Sequence, residues 1–151
     1  SKAESCMFRA TMSAYQEIAN ATSTIVEYDT CPAAFNVGSD FDTSTFKFTA
    51  PNDGFYYIKA SFRITDTGGS APHAVDDDLY IYKDAVLYAS NTALSKDGDL
   101  GSYTQAYPTM AQSCIMDMDS GETAYVIART EGGAMRLTSG VQAYFEGYQI
   151  A

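Results

Sequence analysis

Two carboxylates flank a glycine in residues 96–101, whose sequence Lys-Asp-Gly-Asp-Leu-Gly is typical of a surface turn. Ca²⁺ is a hard cation that takes carboxylate and carbonyl oxygens from flexible loops. Asp97 and Asp99 are therefore the candidate calcium ligands of this sequence. A solvated acidic turn accounts for the same residues. A second acidic run, residues 76–78, is a weaker candidate because Asp78 is expected to begin a strand.

Histidine, the side chain best suited to proton transfer near neutral pH, occurs once, as His73. It precedes the acidic run at residues 76–78, but a polar loop that leads into a strand accounts for these residues as well. The chain has no Gly-x-Ser-x-Gly motif, no glycine-rich phosphate loop and no histidine-rich metal motif. Acidic residues are abundant, yet no pair is singled out for glycoside hydrolysis. The sequence therefore predicts a protein that is not an enzyme.

Two features bear on the compartment of the protein, and neither decides it. Cys6, Cys31 and Cys114 permit at most one internal disulfide, and none has the spacing of a metal site. A Cys6–Cys31 disulfide would fix the N-terminal segment in an oxidising compartment, whereas in a reducing one all three cysteines would be small buried thiols. Residues 20–22, Asn-Ala-Thr, match the N-glycosylation pattern, which matters only in a secreted eukaryotic protein and often arises by chance.

The 151 residues include 19 acidic and 9 basic side chains, which give a formal net charge of −10. Such a surface repels nucleic-acid phosphates, so nucleic acid is not an expected partner. No apolar run approaches the roughly 20 residues of a membrane-spanning helix, so no membrane insertion is expected. Residues 1–151 are expected to form one domain, with residues 1–5 as a flexible end. Those residues lack a charged-then-apolar leader, so a secretion signal would have to be absent or already removed.

In the second half of the chain, stretches rich in Tyr, Phe, Val, Ile and Thr alternate with clusters of Gly, Asp, Asn, Ser and Pro. This spacing is typical of an antiparallel β-sandwich. Only residues 13–19 could form a helix, and a loop accounts for them equally well. The pattern places strands at residues 24–28, 45–49, 54–64, 78–82, 86–90, 106–116, 123–130, 134–138 and 142–150.

The strand at residues 54–64 shows the alternation of a half-buried strand most clearly. Its even-numbered residues from Tyr56 to Ile64 are apolar and share the face predicted to be core, and its odd-numbered residues from Lys59 to Arg63 are polar. Phe55 and Tyr57 interrupt the polar face. Large apolar side chains there predict that a loop or, as the favoured alternative, a second subunit covers this end of the strand.

Aromatic and turn residues follow a regular spacing between residues 36 and 58. An Asn is followed by an aromatic residue five positions later, by a Phe seven positions after that, then by Thr-Ala-Pro and a Gly-x-Tyr strand start. The residues are Asn36, Phe41, Phe48, Thr49, Ala50, Pro51, Gly54, Tyr56 and Ile58. This pattern resembles the C1q globular domain. Residues 116–126 and 145–150 are similar to that family's Gly-Asp hairpin and closing Phe-x-Gly strand, so the resemblance covers about residues 6–150.

The resemblance implies an all-β fold, a ten-stranded antiparallel jelly-roll sandwich similar to that of the tumour-necrosis-factor family, assembled as a homotrimer. The residues that would anchor the fold and the subunit contact are Phe41, Phe48, Gly54, Phe55, Tyr56, Tyr57, Phe145, Gly147 and Tyr148. Some family members bind calcium in a loop near the trimer apex that corresponds to the segment of Asp97 and Asp99. Three subunits would bring six like charges together there, and a cation would relieve their repulsion.

The chain departs from the family pattern at one hairpin. The family's Leu-x-Lys-Asn-Gly appears here as Ile-Tyr-Lys-Asp-Ala at residues 81–85. A type I′ turn requires positive φ at both central residues, which alanine disfavours. A wider turn is therefore expected.

The leading hypothesis is a non-enzymatic trimeric recognition head that binds a cell-surface, glycan or protein ligand through several weak contacts at once. The 12 Tyr and 8 Phe residues exceed what one small core can hide, which favours tyrosines at a subunit contact. The alternative is the distal trimeric domain of a viral (phage) or bacterial surface fibre with a structural and receptor-binding role. Both hypotheses place the protein outside the cell or on a virion or cell surface.

Overall fold

A computed structural model of the chain describes residues 6–65, 76–94 and 109–151. The one helical element among them is the 3₁₀ turn Ala33–Phe35, and the all-β prediction is confirmed. The strands of the described residues are, in chain order, β1 (Met7–Thr11), β2 (Gln16–Ile18), β3 (Thr24–Ile25), β4 (Asn36–Val37), β5 (Phe41–Asp42), β6 (Lys47–Thr49), β7 (Gly54–Thr65), β8 (Asp76–Lys83), β9 (Val86–Leu94), β10 (Thr109–Met118), β11 (Thr123–Glu131), β12 (Met135–Thr138) and β13 (Tyr144–Gln149).

The strands form two antiparallel sheets, which confirms the predicted jelly-roll sandwich. In sheet A, β7 has β10 on one side and both β13 and β12 on the other, with β1 and β4 beyond β13 and β2 beyond β12. In sheet B the order is β5, β6, β11, β8 and β9, and β3 also pairs with β11. The described strands outnumber the expected ten because β3, β4 and β5, each only two residues long, count separately.

The two sheets meet at a cluster of phenylalanines. Phe8, from β1 of sheet A, stacks on Phe41 and Phe48 of sheet B with ring centroids 5.2 and 4.6 Å apart. Phe145, from β13, meets the Phe8 ring edge-on at 4.9 Å. All four are at most 3% exposed. Aromatic pairs of this geometry add about 0.5–1.5 kcal/mol to their burial, so the cluster contributes strongly to holding the sheets together.

The strand β7 shows the predicted alternation, with Tyr56 and its even-numbered neighbours buried. The ring of Tyr56 packs at 5.6 Å from that of Phe48, and its hydroxyl donates a hydrogen bond to the carbonyl of Asn52 at 2.7 Å. The polar end of this buried ring is therefore satisfied, as a buried phenol requires.

Residues 13–19, for which a helix or a loop was expected, contain the strand β2. Ile18 is fully buried. The side chain of Gln16 forms two hydrogen bonds with backbone groups in and just after β3. Its Nε2 donates to the carbonyl of Ile25 at 2.8 Å, and its Oε1 accepts from the N–H of Glu27 at 2.9 Å. These non-local bonds, together with pairing to β12, favour the extended conformation.

The prediction of a wider turn between β8 and β9 is wrong. Lys83 pairs with Val86, so Asp84 and Ala85 form a two-residue turn, in which Asp84 has a φ of 49°. The Asp84 carboxylate accepts bonds from the N–H and the hydroxyl of Thr123 at 2.9 and 3.0 Å, and its own N–H donates to the Thr123 carbonyl at 2.9 Å. Bonds to the adjacent strand β11 thus stabilise the tight turn without a glycine.

The three cysteines are free thiols in the structure, where Cys6 is buried and Cys31 and Cys114 are half-buried. Burial is the main cause that raises the pKa of Cys6 to about 12, with a further contribution from Asp40. Burial also raises the pKa of Cys114 to about 11. Both thiols therefore remain protonated at neutral pH and behave as small apolar side chains.

Gly147 allows β13 to fit between its neighbours, and we predict that Gly147→Ala destabilises the fold. A Cβ there would lie 2.7 Å from Cδ1 of Ile58, 2.8 Å from the carbonyl oxygen of Tyr57 and 2.9 Å from Cε1 of Phe8. Overpacking of this kind typically lowers the free energy of unfolding by about 1–3 kcal/mol. Urea titration measures the effect. Gly140→Ala is the control, because a Cβ at Gly140 meets no atom within 4 Å, although its φ of 97° strains any side chain. Equal losses in the two variants would contradict the packing argument.

Asp84→Asn tests the charge in the β8–β9 turn, since Asn keeps an acceptor oxygen and tolerates positive φ. Hydrogen bonds from the backbone and then the hydroxyl of Thr123 lower the pKa of Asp84. The carboxylate therefore stabilises the folded state above about pH 4, and this contribution is lost as the pH falls through the folded pKa. Because the site is exposed, we expect the variant to melt only about 1–3 °C below the wild type at pH 7. Thermal melts between pH 2 and 8 should show the difference shrinking on acidification; a difference that grows would refute the assignment.

Candidate interaction surfaces

The outer face of sheet A has a row of apolar side chains that crosses five strands. The strand register pairs Val37 with Met7, Met7 with Tyr148, Tyr148 with Tyr57, and Tyr57 with Ile115. We call these five residues the apolar row. The relative exposure of Val37, Met7, Tyr148 and Ile115 ranges from 38% to 60%. The rings of Tyr57 and Tyr148 lie 5.5 Å apart.

Phe55 and Ile150 extend the apolar row toward one end of the sheet. They are 50% and 49% exposed, and the N–H of Ile150 donates to the Phe55 carbonyl at 2.7 Å. Gly54 permits this close pairing, because a Cβ at that position would lie 2.2 Å from the carbonyl oxygen of Ala151. Contiguous exposed apolar surface makes this face a candidate contact site.

A charged row lies two residues further along the same face, where Arg9 pairs with Glu146 and Glu146 with Lys59. Arg9 Nη1 is 2.6 Å from Glu146 Oε2. The guanidinium of Arg9 and the ammonium of Lys59 both lie over the ring of Tyr144, at 4.7 and 5.5 Å from its centroid. A hydrogen bond with Tyr144 is the main cause that raises the pKa of Lys59. Because its residues are two positions from those of the apolar row on the same strands, the charged row bounds the apolar row on one side.

The edge of the sandwich offers a second apolar surface. Residues 86–88 of β9, Val-Leu-Tyr, are 39–62% exposed, and we call them the β9 rim. Side chains of β9 also cap the edge of β10: Asn91 Nδ2 donates to the Ala111 carbonyl at 3.0 Å, and the Tyr88 hydroxyl accepts from the N–H of Asp117 at 3.3 Å. A capped edge is protected from pairing with a foreign strand. The rim therefore presents mainly side chains to a partner.

The outer face of sheet B has three partly exposed tyrosines, Tyr80, Tyr82 and Tyr125, which we call the tyrosine face. The rings of Tyr82 and Tyr125 are nearly parallel, with centroids 5.6 Å apart, and Tyr80 meets Tyr82 edge-on at 6.4 Å. The ammonium of Lys47 lies 4.5 Å from the centroid of Tyr125. Because the outer faces of the two sheets point in opposite directions, the tyrosine face lies away from the apolar row.

Ionic groups around the tyrosine face are paired within the chain. Lys83 Nζ is 3.1 Å from Glu122 Oε2, and Arg129 pairs with Glu131. Burial, followed by a hydrogen bond to Asp78, raises the pKa of Tyr80 to about 12. The face therefore presents aromatic rings and phenol groups, with the nearby ionic side chains already paired.

The structure separates the residues predicted as anchors into two groups. The residues buried between the sheets are Phe41, Phe48, Tyr56 and Phe145, with Gly147 packed against them. Phe55, Tyr57 and Tyr148 lie on the outer face of sheet A, and Gly54 begins β7 beside them.

Sequence reasoning missed three members of the apolar row, namely Val37, Met7 and Ile115. Val37 lies between Asn36 and Gly38, whereas Met7 and Ile115 each lie between two other apolar residues. Their common position follows from the pairing of β4, β1 and β10 with strands distant in sequence. The signal that could have found Ile115 was its place out of phase with the buried Met110, Met116 and Met118 of the same strand.

Asp97, Asp99 and His73 lie outside the described residues, so the calcium site stays a prediction. Within residues 6–65, 76–94 and 109–151, no group of three or more His, Cys, Asp and Glu side chains could hold a metal ion. The weaker candidate run, residues 76–78, begins β8. Asp77 and Asp78 are buried there and accept bonds from threonine hydroxyls at 3.3 and 2.6 Å, which gives them a structural role.

Comparison with known proteins identifies the fold and the family. A family model for the C1q domain matches residues 7–150. The chain belongs to the C1q domain family. Eiger TNF from S. frugiperda is similar in structure, with a TM-score of 0.70 and 10% identity over 97% of this chain and 92% of that one. The globular domain of zebrafish complement 1qA has a TM-score of 0.64 and 12% identity over 97% of this chain and 98% of its own.

None of the curated proteins compared with the chain matches it. The low identities to the solved structures show a shared fold only. C1q domains are recognition modules that generally lack enzymatic activity, typically form homotrimers and are usually secreted or surface-exposed. In the described part of this chain, no helix is long and apolar enough to cross a membrane.

We predict that calcium raises the melting temperature of this C1q domain through Asp97 and Asp99. A ligand at 100 times its Kd stabilises the folded state by about 2.7 kcal/mol, and 1 kcal/mol corresponds to roughly 2–4 °C for a chain of this length. Calorimetry in Ca²⁺ and in chelator measures the shift. The double variant Asp97→Asn, Asp99→Asn should lose the shift, and Asp76→Asn should keep it. A wild-type melting temperature that responds to neither Ca²⁺ nor chelator would exclude the site.

Proposed function

We propose that this C1q domain is a non-enzymatic recognition head that works as a homotrimer and binds a cell-surface, glycan or protein ligand through several weak contacts at once. The observation that supports the proposal most directly is the apolar row. Its five residues, with Phe55 and Ile150, form one continuous exposed surface on sheet A.

The chemistry of the apolar row suits a subunit contact. Removing apolar surface from water contributes about 25 cal/mol per Å². Tyr57 and Tyr148 add large rings with hydroxyl groups that can keep a polar partner at the contact, as interface tyrosines commonly do. In the adjacent charged row Arg9 and Glu146 form a salt bridge, so these two charges are already compensated when the face is covered.

We infer that the contact is heterologous, so that the apolar row of one copy packs on the β9 rim of the next. An isologous contact between two apolar rows would produce a dimer and leave the β9 rim exposed. Ile115 lies on β10, the strand that β9 caps, so the two apolar surfaces adjoin but face different directions. A contact between two different surfaces repeats around an axis, and it closes as a three-membered ring when successive copies are rotated by one third of a turn.

In this arrangement the tyrosine face of each copy points outward and is the surface we assign to the ligand. Three copies presented together raise the overall affinity of a weak site without any new contact. The alternative of a viral or bacterial fibre would use the same trimer. No observation among the described residues favours it, and it stays a prediction.

Mass in solution tests the assembly. We expect about three times 16.3 kDa for the wild type. Tyr148→Glu and Leu87→Glu should each give monomers, because a charge is buried at one of the two surfaces. An equal mixture of the two variants should form a one-to-one dimer, since the first keeps an intact β9 rim and the second an intact apolar row.

Val141→Glu is the matched control, because Val141 is 82% exposed and lies outside both surfaces. It should remain a trimer. Circular dichroism and melting temperature verify that each variant is folded. A monomeric wild type would refute the trimer, and a trimeric Leu87→Glu variant would refute the heterologous contact.

A further inference from the structure

The turn between β2 and β3 holds the sequence Asn-Ala-Thr at residues 20–22, all exposed. We propose that Asn20 is an acceptor site for an N-linked oligosaccharide. This sequon is the one match to the Asn-x-Ser/Thr pattern in the chain. The inference does not depend on the trimer.

The backbone of the turn is fixed while the acceptor amide is free. The N–H of Ala21 donates to the Thr130 carbonyl at 2.8 Å, and the N–H of Thr22 donates to the Ala19 carbonyl at 3.3 Å. The Thr22 hydroxyl lies beside the acceptor and donates to the carbonyl of Asn20 at 3.1 Å. In the described part of the chain, no hydrogen bond engages the Asn20 side-chain amide. The fold therefore directs Asn20 to solvent and uses none of its side-chain bonding capacity.

Exposure matters because the fold must accommodate the attached sugar. An oligosaccharide on a buried asparagine would prevent the sandwich from closing, since it is bulky and strongly hydrated. Asn20 is exposed in the turn between β2 and β3, so a sugar attached there would extend into solvent. The adjacent elements, β2 and β3, are joined across the side of the sandwich by the buried amide of Gln16, which is 8% exposed, so packing here does not need the Asn20 side chain.

The site is also remote from both apolar surfaces. The strand β2 pairs with β12, and β12 pairs with residues 63–65 of β7, whereas the apolar row crosses β7 at Tyr57. Eight residues of strand separate Tyr57 from Thr65, which corresponds to about 26 Å. In sheet B, β3 pairs with β11, so β11 and β8 both lie between β3 and the β9 rim. A sugar on Asn20 therefore leaves the proposed subunit contact open.

The modification is a group transfer from a lipid-linked oligosaccharide diphosphate. Nδ2 of Asn20 forms a bond to the anomeric carbon of the sugar, and the bond between that carbon and the diphosphate oxygen breaks. The lipid diphosphate leaves with the bonding electron pair, and one amide proton is released. This donor and its transferase belong to the eukaryotic secretory pathway, so occupancy of Asn20 also indicates that the chain can be glycosylated on that route.

Secretion of the full chain from a eukaryotic cell line behind a cleavable leader tests the site. We expect an intact mass above that of the bacterially expressed chain, which falls to a single value after treatment with an amidase that removes N-linked glycans. Asn20→Gln and Thr22→Ala should abolish the increment. Thr22→Ser should retain it, because a serine hydroxyl also completes the sequon, and Asn91→Gln should retain it as the control for loss of an asparagine.

A secreted, folded wild type with no added mass would refute the proposal, as would an increment that persists in Asn20→Gln. Occupancy is measured on denatured protein, so it is independent of assembly. The native mass of the glycosylated form provides the second readout. It should equal that of the bacterial form plus one oligosaccharide per subunit; dissociation caused by the sugar would contradict the placement of Asn20 away from the contact.

Discussion

The packing of Phe8 against Phe41, Phe48 and Phe145 is the constraint on which the rest of the structure depends. Side chains of a strand alternate between its two faces, so a residue held in the core fixes the direction of its neighbours. With Phe8 inward, Met7 and Arg9 must point outward. With Phe145 inward, Tyr148 must also point outward. The apolar row and the charged row therefore follow from how the core is packed.

The close packing around Gly147 connects this core to the outer surface. Because a side chain would collide with Ile58 and Phe8, glycine lets β13 lie closely between β1 and β7. That position brings Tyr148 opposite both Met7 and Tyr57. A larger residue at 147 would push the strands apart and would disturb the continuity of the apolar row as well as the core. The stability of the sandwich and the shape of its outer face are thus coupled through one position.

The part of the fold that sequence could predict is the part specified locally. The alternation in β7 and the spacing of Phe41, Phe48 and Gly54 are local, and they were sufficient for the fold class. The tight turn at Asp84 and the strand β2 were missed, because their stabilising partners, Thr123 and Ile25, lie in other elements. The exposure of Ile115 has a local signal, because it alternates with the buried Met116 and Met118, but only the pairing of β10 with β7 places it beside Tyr57.

A chain with a net charge of −10 must still bring copies of itself together if it is to act as a trimer. Repulsion between like charges opposes association, but at physiological salt it is screened beyond about 8 Å. The outcome therefore depends on the charges nearest the contact. On sheet A these include the cations Arg9 and Lys59, beside a single carboxylate of the charged row, Glu146. Arg9 and Lys59 outnumber Glu146 at the charged row, so this part of the proposed contact face does not add to the repulsion between two acidic copies.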